Sequence, residues 1–401
     1  MAEALVRSQP DRSWTGSLVR RFAVVAMALL MAGCQTVVPR GQGPTQPQGP
    51  TQPEKPGPIG PELPTDTERH RIALLLPMSG GNAGVGQSIA NAANLAVLDT
   101  GGQRIRITTY DTATGAAAAG QRAVADGNKL ILGPLLAEDV RLVSPYAQRA
   151  NVPIISFSND SSVAGKGTFV LGYTPVQSID RVVQFARSKG MTKFAGLVPS
   201  GLYGQRASTA LIRSVENAGG QVVSMQNFDR TQASLSGAIT RLSSNSDYDA
   251  VLIADGGRIA LQAAPLIRKD SAQAQILGTE LWNTETSLSS SAAMRGAWFA
   301  SVQDGLYRQM AAKYRARYGS APYRISSLGY DAVLLVARIA RDWKIGDNFP
   351  VRTLTESGGF GGIDGAFRFG SDGIAERALE VKQVGTGGLS VVSPAPRGFT
   401  Q

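Results

Sequence analysis

Short apolar runs alternate with longer amphipathic stretches from Arg71 onward, and this alternation narrows the possible folds more than any other pattern in the chain. The first apolar run, 72–76, ends at Pro77 and a Gly-rich loop. The pattern predicts strands over 72–76, 105–110, 130–132 and 153–156, and helices over 84–99, 115–126 and 137–149. Strands and helices in strict alternation predict a parallel sheet with helices on both faces.

The same alternation of apolar runs and amphipathic stretches resumes after Thr174. It predicts helices over 176–188, 203–218, 232–243 and 257–268, and strands over 194–198, 222–225, 250–254 and 275–277. Two such units of similar size predict an α/β fold with two doubly wound parallel-sheet lobes. Ligands of open parallel sheets sit at the carboxyl ends of the strands, so we expect a site in the cleft between the lobes.

The amino terminus has the pattern of a secretory signal. Arg20 and Arg21 precede an apolar stretch over 22–31, which is followed by Ala32, Gly33 and Cys34. That stretch is well short of the roughly 20 residues that a membrane-spanning helix needs. We therefore interpret 1–33 as a signal peptide and predict export from the cytoplasm.

Small residues before a lone Cys resemble the lipobox of bacterial lipoproteins, although Met31 stands where that motif usually has Leu. The resemblance implies that Cys34 carries the lipid anchor and becomes the new amino terminus. Ordinary signal cleavage nearby is the alternative. Gln35 follows the Cys, and the lack of Asp there resembles lipoproteins that are sent to the outer membrane. We thus expect a periplasmic protein anchored to that membrane.

Residues 34–69 are rich in Pro and Gly and poor in large apolar residues, which predicts a disordered tether. At about 3.1 Å per residue, some 30 residues of polyproline type would reach roughly 90 Å from a membrane.

The chain has few of the residues on which common catalytic sites depend. The chain has a single Cys and a single His, His70, so multi-His zinc sites, Ser-His-Asp triads and Cys-His pairs are nearly excluded. We predict no enzyme activity, no metal and no cofactor. The net charge is +10, and about +8 without residues 1–33, which suits solubility or an anionic envelope partner. The Lys and Arg are scattered, so nucleic acid is not an expected partner.

Several segments of residues 70–385 together resemble the type I periplasmic binding proteins of the leucine/isoleucine/valine-binding kind. They are RIALLLPMSGGNAGVGQSIANAANLAV, LILGPLLAEDV, NVPIISFSND, LYGQ, ILGTELWN and FGGIDGAFRFGSDGIAERALEVKQV. Within that group, IALLLPMSG and GPLL are more similar to the penicillin-binding protein activators. The resemblance implies three crossings between lobes. Lobe one would comprise 70–174 plus 303–345, lobe two 175–302 plus 346–388, and 389–401 would be a flexible tail.

The resemblance also implies which strand-end residues face the cleft. The candidates are Ser79, Gly80, Glu138, Ser156, Ser158, Asn159, Tyr203, Asp255 and Glu280. Ser158 matches a Thr of the amino-acid receptors, and Tyr203 and Glu280 match positions that stack on the ligand and pair with its ammonium group. The loop after the third strand, GPLLAEDV, lacks the hydroxyl residues that hold the ligand carboxylate in those receptors. The residues expected to contact the ammonium group of an amino acid are thus present, and those expected to hold its carboxylate are missing.

These residues also have plain structural interpretations. Glu280 could be satisfied by backbone N–H groups, and Tyr203 could simply pack on the lobe surface. The glycines at 80, 81, 84 and 86 lack the Lys of a phosphate-binding loop, so a turn is the better interpretation. The glycines at 358, 359, 361 and 362 favour a hinge or turn between lobes.

Two hypotheses about function follow. A tethered, basic, non-enzymatic lipoprotein could bind a peptidoglycan synthase, as the resemblance to penicillin-binding protein activators implies. Alternatively, the lobes could close on an amino acid or a similar cationic solute and deliver it to an ABC permease, which Tyr203 and Glu280 favour.

Overall fold

The computed structural model of the chain describes residues 68–245 and 247–399. The predicted signal peptide 1–33, the predicted anchor residue Cys34 and the predicted tether as far as residue 67 lie outside the described residues. No helix in the described ranges is long and apolar enough to cross a membrane.

The first lobe is built on a five-stranded parallel sheet with strand order β2-β1-β3-β4-β5. Its strands are β1 (His70–Leu76), β2 (Ile105–Asp111), β3 (Leu130–Leu132), β4 (Ile154–Ser156) and β5 (Thr168–Val170). Between them run α1 (Ala83–Asp99), α2 (Ala116–Ala125) and α3 (Ala137–Arg149). Side chains of β1 alternate between the two faces of the sheet, so that Leu74 packs with α1 and Leu75 with α2 and α3.

The second lobe repeats that strand order as β7-β6-β8-β9-β10. Its parallel strands are β6 (Lys193–Pro199), β7 (Gln221–Phe228), β8 (Ala250–Ile253), β9 (Gln275–Gly278) and β10 (Trp298–Ser301). The helices are α4 (Pro175–Ser188), α5 (Leu202–Asn217), α6 (Gln232–Asn245) and α7 (Gly257–Asp270). Helices α4 and α5 cover one face and α6 and α7 the other. The predicted fold class, two doubly wound α/β lobes, is confirmed.

The chain then returns to lobe one with α8 (Gly305–Tyr318) and α9 (Ser327–Ile339), which share a core with α1 and β1. A small antiparallel sheet follows, formed by β11 (Phe360–Gly362), β12 (Gly365–Phe369) and β13 (Ala375–Arg377). Finally β14 (Glu380–Gly385) and β15 (Gly388–Ser393) extend the second sheet beyond β10 in antiparallel orientation.

The small sheet corrects the predicted lobe boundaries. The sequence predicts 346–388 in lobe two, but Phe360, Phe367 and Phe369 pack in the core of lobe one. The backbone N–H of Val170 in β5 donates to Gly373 O at 2.8 Å, which places the small sheet beside the edge of the first. The chain therefore crosses to lobe two at about residues 378–380, where β13 ends and β14 begins. The glycines at 358–362 belong to the small sheet and its approach, and not to a crossing.

The predicted flexible tail, 389–401, is also wrong over its first part. Residues as far as Ser393 form β15, paired with β14, because apolar side chains such as Val391 continue a strand pattern after the turn at residues 386–387.

Candidate functional site

A cavity of about 460 Å³ lies between the lobes at the carboxyl ends of the parallel strands. Lobe one lines it with the loops after β3 and β4 and with the segment before α9, and lobe two with the loop after β9. The lining is mostly apolar. It comprises Leu135, Leu136, Phe157, Asn159, Tyr173, Glu280, Leu281, Asn283, Thr284, Ser301, Val302, Tyr323, Arg324 and Ile325. A concave apolar site with a few polar groups is the usual form of a small-ligand pocket.

Glu280 is the only acidic side chain among the lining residues. Ser178 donates a hydrogen bond to its Oε2, and the hydroxyl of Tyr203 donates to its Oε1 at 3.4 Å. Burial raises the pKa of Glu280 to about 7, and the bonds from Ser178 and Tyr203 only partly oppose that rise. The carboxyl group therefore changes its protonation state close to neutral pH.

Tyr203 does not line the cavity itself. It packs against the core of lobe two, and its hydroxyl also donates to Thr279 Oγ1 at 3.3 Å. Tyr203 thus contacts Glu280 from the core of lobe two, and its side chain is not among those that line the cavity.

The two serines after β4 use their hydroxyl groups to shape their own loop. Ser156 Oγ donates to Pro134 O at 3.0 Å and accepts from the Ser158 N–H at 3.0 Å. Ser158 Oγ accepts from the Asp160 N–H at 3.1 Å. Both serines are buried. Asn159, which follows Ser158, is exposed and lines the cavity.

The remaining candidates lie away from the cavity lining. Ser79 donates to Asp111 Oδ2 at 2.7 Å on an exposed loop, and Gly80 is exposed beside it. Glu138 is exposed in the first turn of α3. Asp255 is buried and forms an ion pair with Arg230 at 2.7 Å. Of the nine cleft candidates, the structure brings Asn159 and Glu280 into the lining, with Tyr203 behind Glu280.

The loop after β3 presents Leu135 and Leu136 to the cavity. Its two acidic residues turn away, because Glu138 is exposed on α3 and Asp139 is buried. Where the resemblance to amino-acid receptors leads us to expect hydroxyl groups on the cavity surface, this loop thus has two aliphatic side chains.

Charged side chains connect the crossing segments at the base of the cavity. Arg324 forms an ion pair with Asp364 at 2.8 Å and lies 4.0 Å above the ring of Tyr307. Tyr173, in the first crossing segment, donates a hydrogen bond to Asp364. Arg324 is therefore already paired, although it also lines the cavity.

Lys382 continues this network into lobe two. It forms an ion pair with Asp304, and its Nζ donates to Asn283 Oδ1 at 2.8 Å. Asp304 belongs to the second crossing segment, and its Oδ1 lies 3.7 Å from Arg324, so the network connects the first two crossing segments with β14.

Most lining residues were missed by sequence reasoning. Tyr323, Arg324 and Ile325 lie more than 150 positions after the first cleft loops, in the segment that returns to lobe one. No local signal marks them, since they follow a helix and precede another. Phe157 and Leu281 each adjoin a candidate and were recoverable from the strand-end argument alone.

In the described part of the chain, no group of three or more His, Cys, Asp or Glu residues is arranged to hold a metal ion.

Comparison with known proteins gives one matching family model. It describes a periplasmic binding protein and matches residues 70–388. Among curated proteins, an uncharacterised protein of Rickettsia prowazekii is 26% identical over 178 residues, which is 44% of this chain and 48% of that protein. The match thus spans about half the length of this relative.

Two solved structures illustrate the range of similar folds. The C-domain of LpoA from Haemophilus influenzae, a regulator of PBP1A, aligns with a TM-score of 0.64 at 19% identity, over 80% of this chain and 99% of that domain. A periplasmic ligand-binding protein of a branched-chain amino acid ABC transporter from Burkholderia xenovorans aligns with a TM-score of 0.64 at 18% identity, over 82% of this chain and 96% of the other. At such identities the likeness concerns the fold.

Proposed function

The chain belongs to the periplasmic binding protein family, and from that premise we propose that it acts without catalysis, as an envelope lipoprotein that regulates a peptidoglycan synthase. Cys34 would carry the lipid, and the Pro/Gly-rich segment after it would let the lobes reach a partner across the periplasm. The fold of the LpoA C-domain, a regulator of PBP1A, supports this proposal by analogy.

The observation that carries the proposal is the apolar surface of Leu135 and Leu136. A carboxylate entering the cavity there would lose its hydration and meet two aliphatic side chains, which is unfavourable by several kcal/mol unless a donor replaces the lost water. The hydroxyl groups of Ser156 and Ser158 already bond to the backbone, and Arg324 is already paired with Asp364. The cleft is thus poorly suited to the carboxylate of an amino acid.

The test uses the purified, lipid-bearing protein in detergent with a purified peptidoglycan synthase. We expect the protein to raise the rate of glycan polymerisation or crosslinking. A variant lacking residues 36–66 is the control for the tether: it should keep this effect in detergent and lose it in cells, where reach matters. An unchanged synthase rate, with only transport permeases recovered from envelope extracts, would overturn the proposal.

A receptor for an ABC permease is the second candidate, and the cavity beside Glu280 favours it. Leucine and isoamylamine form a matched pair for calorimetry, because they differ only in the carboxylate. A receptor of branched-chain amino acids should bind leucine, and Glu280→Gln should weaken that binding. Binding of isoamylamine without binding of leucine, or of neither, would exclude a leucine receptor.

A further inference from the structure

Asp160 lies in the loop between β4 and β5, next to the cavity residue Asn159. Its side chain is only 2% exposed. The backbone N–H of Ser162 donates to its Oδ1 at 2.8 Å, and the Ser162 hydroxyl donates to the same oxygen at 2.5 Å. A buried carboxylate of this kind is stable only when such partners replace its water.

Two arginines complete the environment of Asp160, and they come from different lobes. Arg141, on α3 of lobe one, contacts Oδ2 at 2.8 Å with a side chain that is 54% exposed. Arg206, on α5 of lobe two, contacts Oδ1 at 2.5 Å with a side chain that is 21% exposed. Among the ion pairs of residues 68–245 and 247–399, Asp160 with Arg206 is the one that joins the β1–β5 lobe to the β6–β10 lobe away from the crossing segments.

The environment favours the ionised carboxylate strongly. Burial alone would raise the pKa of Asp160, but hydrogen bonds from Ser162, Arg206 and Arg141 outweigh it and lower that pKa to about 2. The Asp160 carboxyl group is therefore ionised at neutral pH.

We infer that Asp160 and Arg206 form a latch, which holds the two lobes together beside the cleft without any ligand. When the lobes separate, Asp160 keeps Arg141 and Ser162, which belong to its own lobe, and loses only Arg206. Opening then requires that a mostly buried ion pair be broken, and such pairs are less weakened by solvent than exposed ones.

The latch goes beyond the proposed function, since it depends on neither a synthase nor a solute. It implies that the cleft rests closed and that a partner or ligand must compete with Arg206 to open it. A binding protein that closes only around its ligand has the opposite resting state.

Electron spin resonance on the full chain tests the inference. Spin labels at Gln121→Cys on α2 and Lys269→Cys on α7 place one probe on each lobe, with Cys34 acylated or replaced by Ser. We expect a single short distance in the ligand-free protein. Arg206→Gln should add a longer distance and raise the open-to-closed ratio by at least about fivefold, the lower end of typical coupling between sites.

Arg141→Gln is the matched control, because it removes an arginine from the same carboxylate but within one lobe. It should leave the distance distribution of the wild type unchanged, and Arg206→Lys, which keeps the charge, should restore part of the closed population. Circular dichroism melting shows that each variant is folded. An Arg206→Gln distribution identical to that of the wild type, or equal opening by both Gln variants, would overturn the latch.

Discussion

Two opposing effects act on the protonation of Glu280: its side chain is partly buried in the cavity wall, which disfavours the charged form, whereas hydrogen bonds from Ser178 and Tyr203 favour it. Burial raises its pKa to about 7. The folded protein therefore holds this proton more tightly than the unfolded chain does. The stabilisation that follows is complete at acidic pH and is lost as the pH rises through 7.

Replacing Glu280 by Gln should remove this pH dependence. Between pH 5 and pH 8 the free energy of unfolding of the wild type should fall by about 2 kcal/mol more than that of Glu280→Gln. Urea titrations at the two pH values measure the difference. Glu138→Gln changes an exposed carboxyl of the same kind and should behave as the wild type does. If the free energy of unfolding changed with pH equally in the wild type and in Glu280→Gln, the raised pKa of Glu280 would be contradicted.

Arg324 and Asp364 form the most buried ion pair at the base of the cavity, with side chains 14% and 0% exposed. Arg324→Gln leaves a buried carboxylate without its cation, so we expect a loss of about 3 kcal/mol in the free energy of unfolding. Arg368→Gln breaks a more exposed pair with Glu376 and should cost less than about 1 kcal/mol. Equal effects of the two substitutions, measured in urea, would refute this ranking.

Some site residues could be predicted and others could not. Glu280 and Asn159 follow strands directly, so their place at the carboxyl edge was set by topology. Ser79 and Asp255 also follow strands, yet they turn to Asp111 and Arg230. Position after a strand determines the edge, while local hydrogen bonds and ion pairs determine where the side chain points.

At the level of elements, β9 must approach the helical turn after it very closely. Gly278 ends β9, and a Cβ atom there would lie 2.3 Å from Cδ2 of the fully buried Trp282. Trp282 is further fixed by its Nε1, which donates to Asp255 O at 2.9 Å. The indole therefore cannot move aside without losing that bond, and the Glu280 turn is built around it.

Gly278→Ala should accordingly destabilise the second lobe by about 2 kcal/mol, since overpacked cores relax only partly. Thermal unfolding followed by calorimetry measures the loss. Gly256→Ala is the matched control: Gly256 has φ −59° and nothing within 4 Å of the added methyl, so its melting temperature should stay near that of the wild type. A harmless Gly278→Ala would mean that Trp282 is free to shift.

Eight of the ten parallel strands, and the helices between them, were predictable because hydrophobic period and turn residues coincide there, whereas β5 and β10 were not predicted. The small sheet was not. Its strands are three to five residues long and interrupted by glycines, which in sequence indicate a turn. The decisive contact, Phe369 against Phe169 with ring centroids 5.3 Å apart, joins positions 200 residues apart, and no local pattern carries that information.

At the scale of the whole molecule, the lipid on Cys34 would decide where the protein works. Mass spectrometry of the membrane fraction should find an amino-terminal peptide that begins at Cys34 and carries fatty acyl groups. Cys34→Ala offers no thiol for acylation, so the precursor should keep residues 1–33.

Met31→Leu restores the usual residue of the lipobox and should leave acylation intact. A mature chain with an unmodified thiol, recovered in the soluble fraction, would contradict the anchor.

The return of the chain to each lobe has a consequence for biosynthesis. When 301 residues have been made, all ten parallel strands exist, but α8, α9 and the small sheet are missing from the first lobe and β14 and β15 from the second. Leu74 and Ile72 then lack much of the surface that covers them. Neither lobe can therefore complete its core during synthesis until the segment from α8 to β15 has been made, which delays the folding of both lobes.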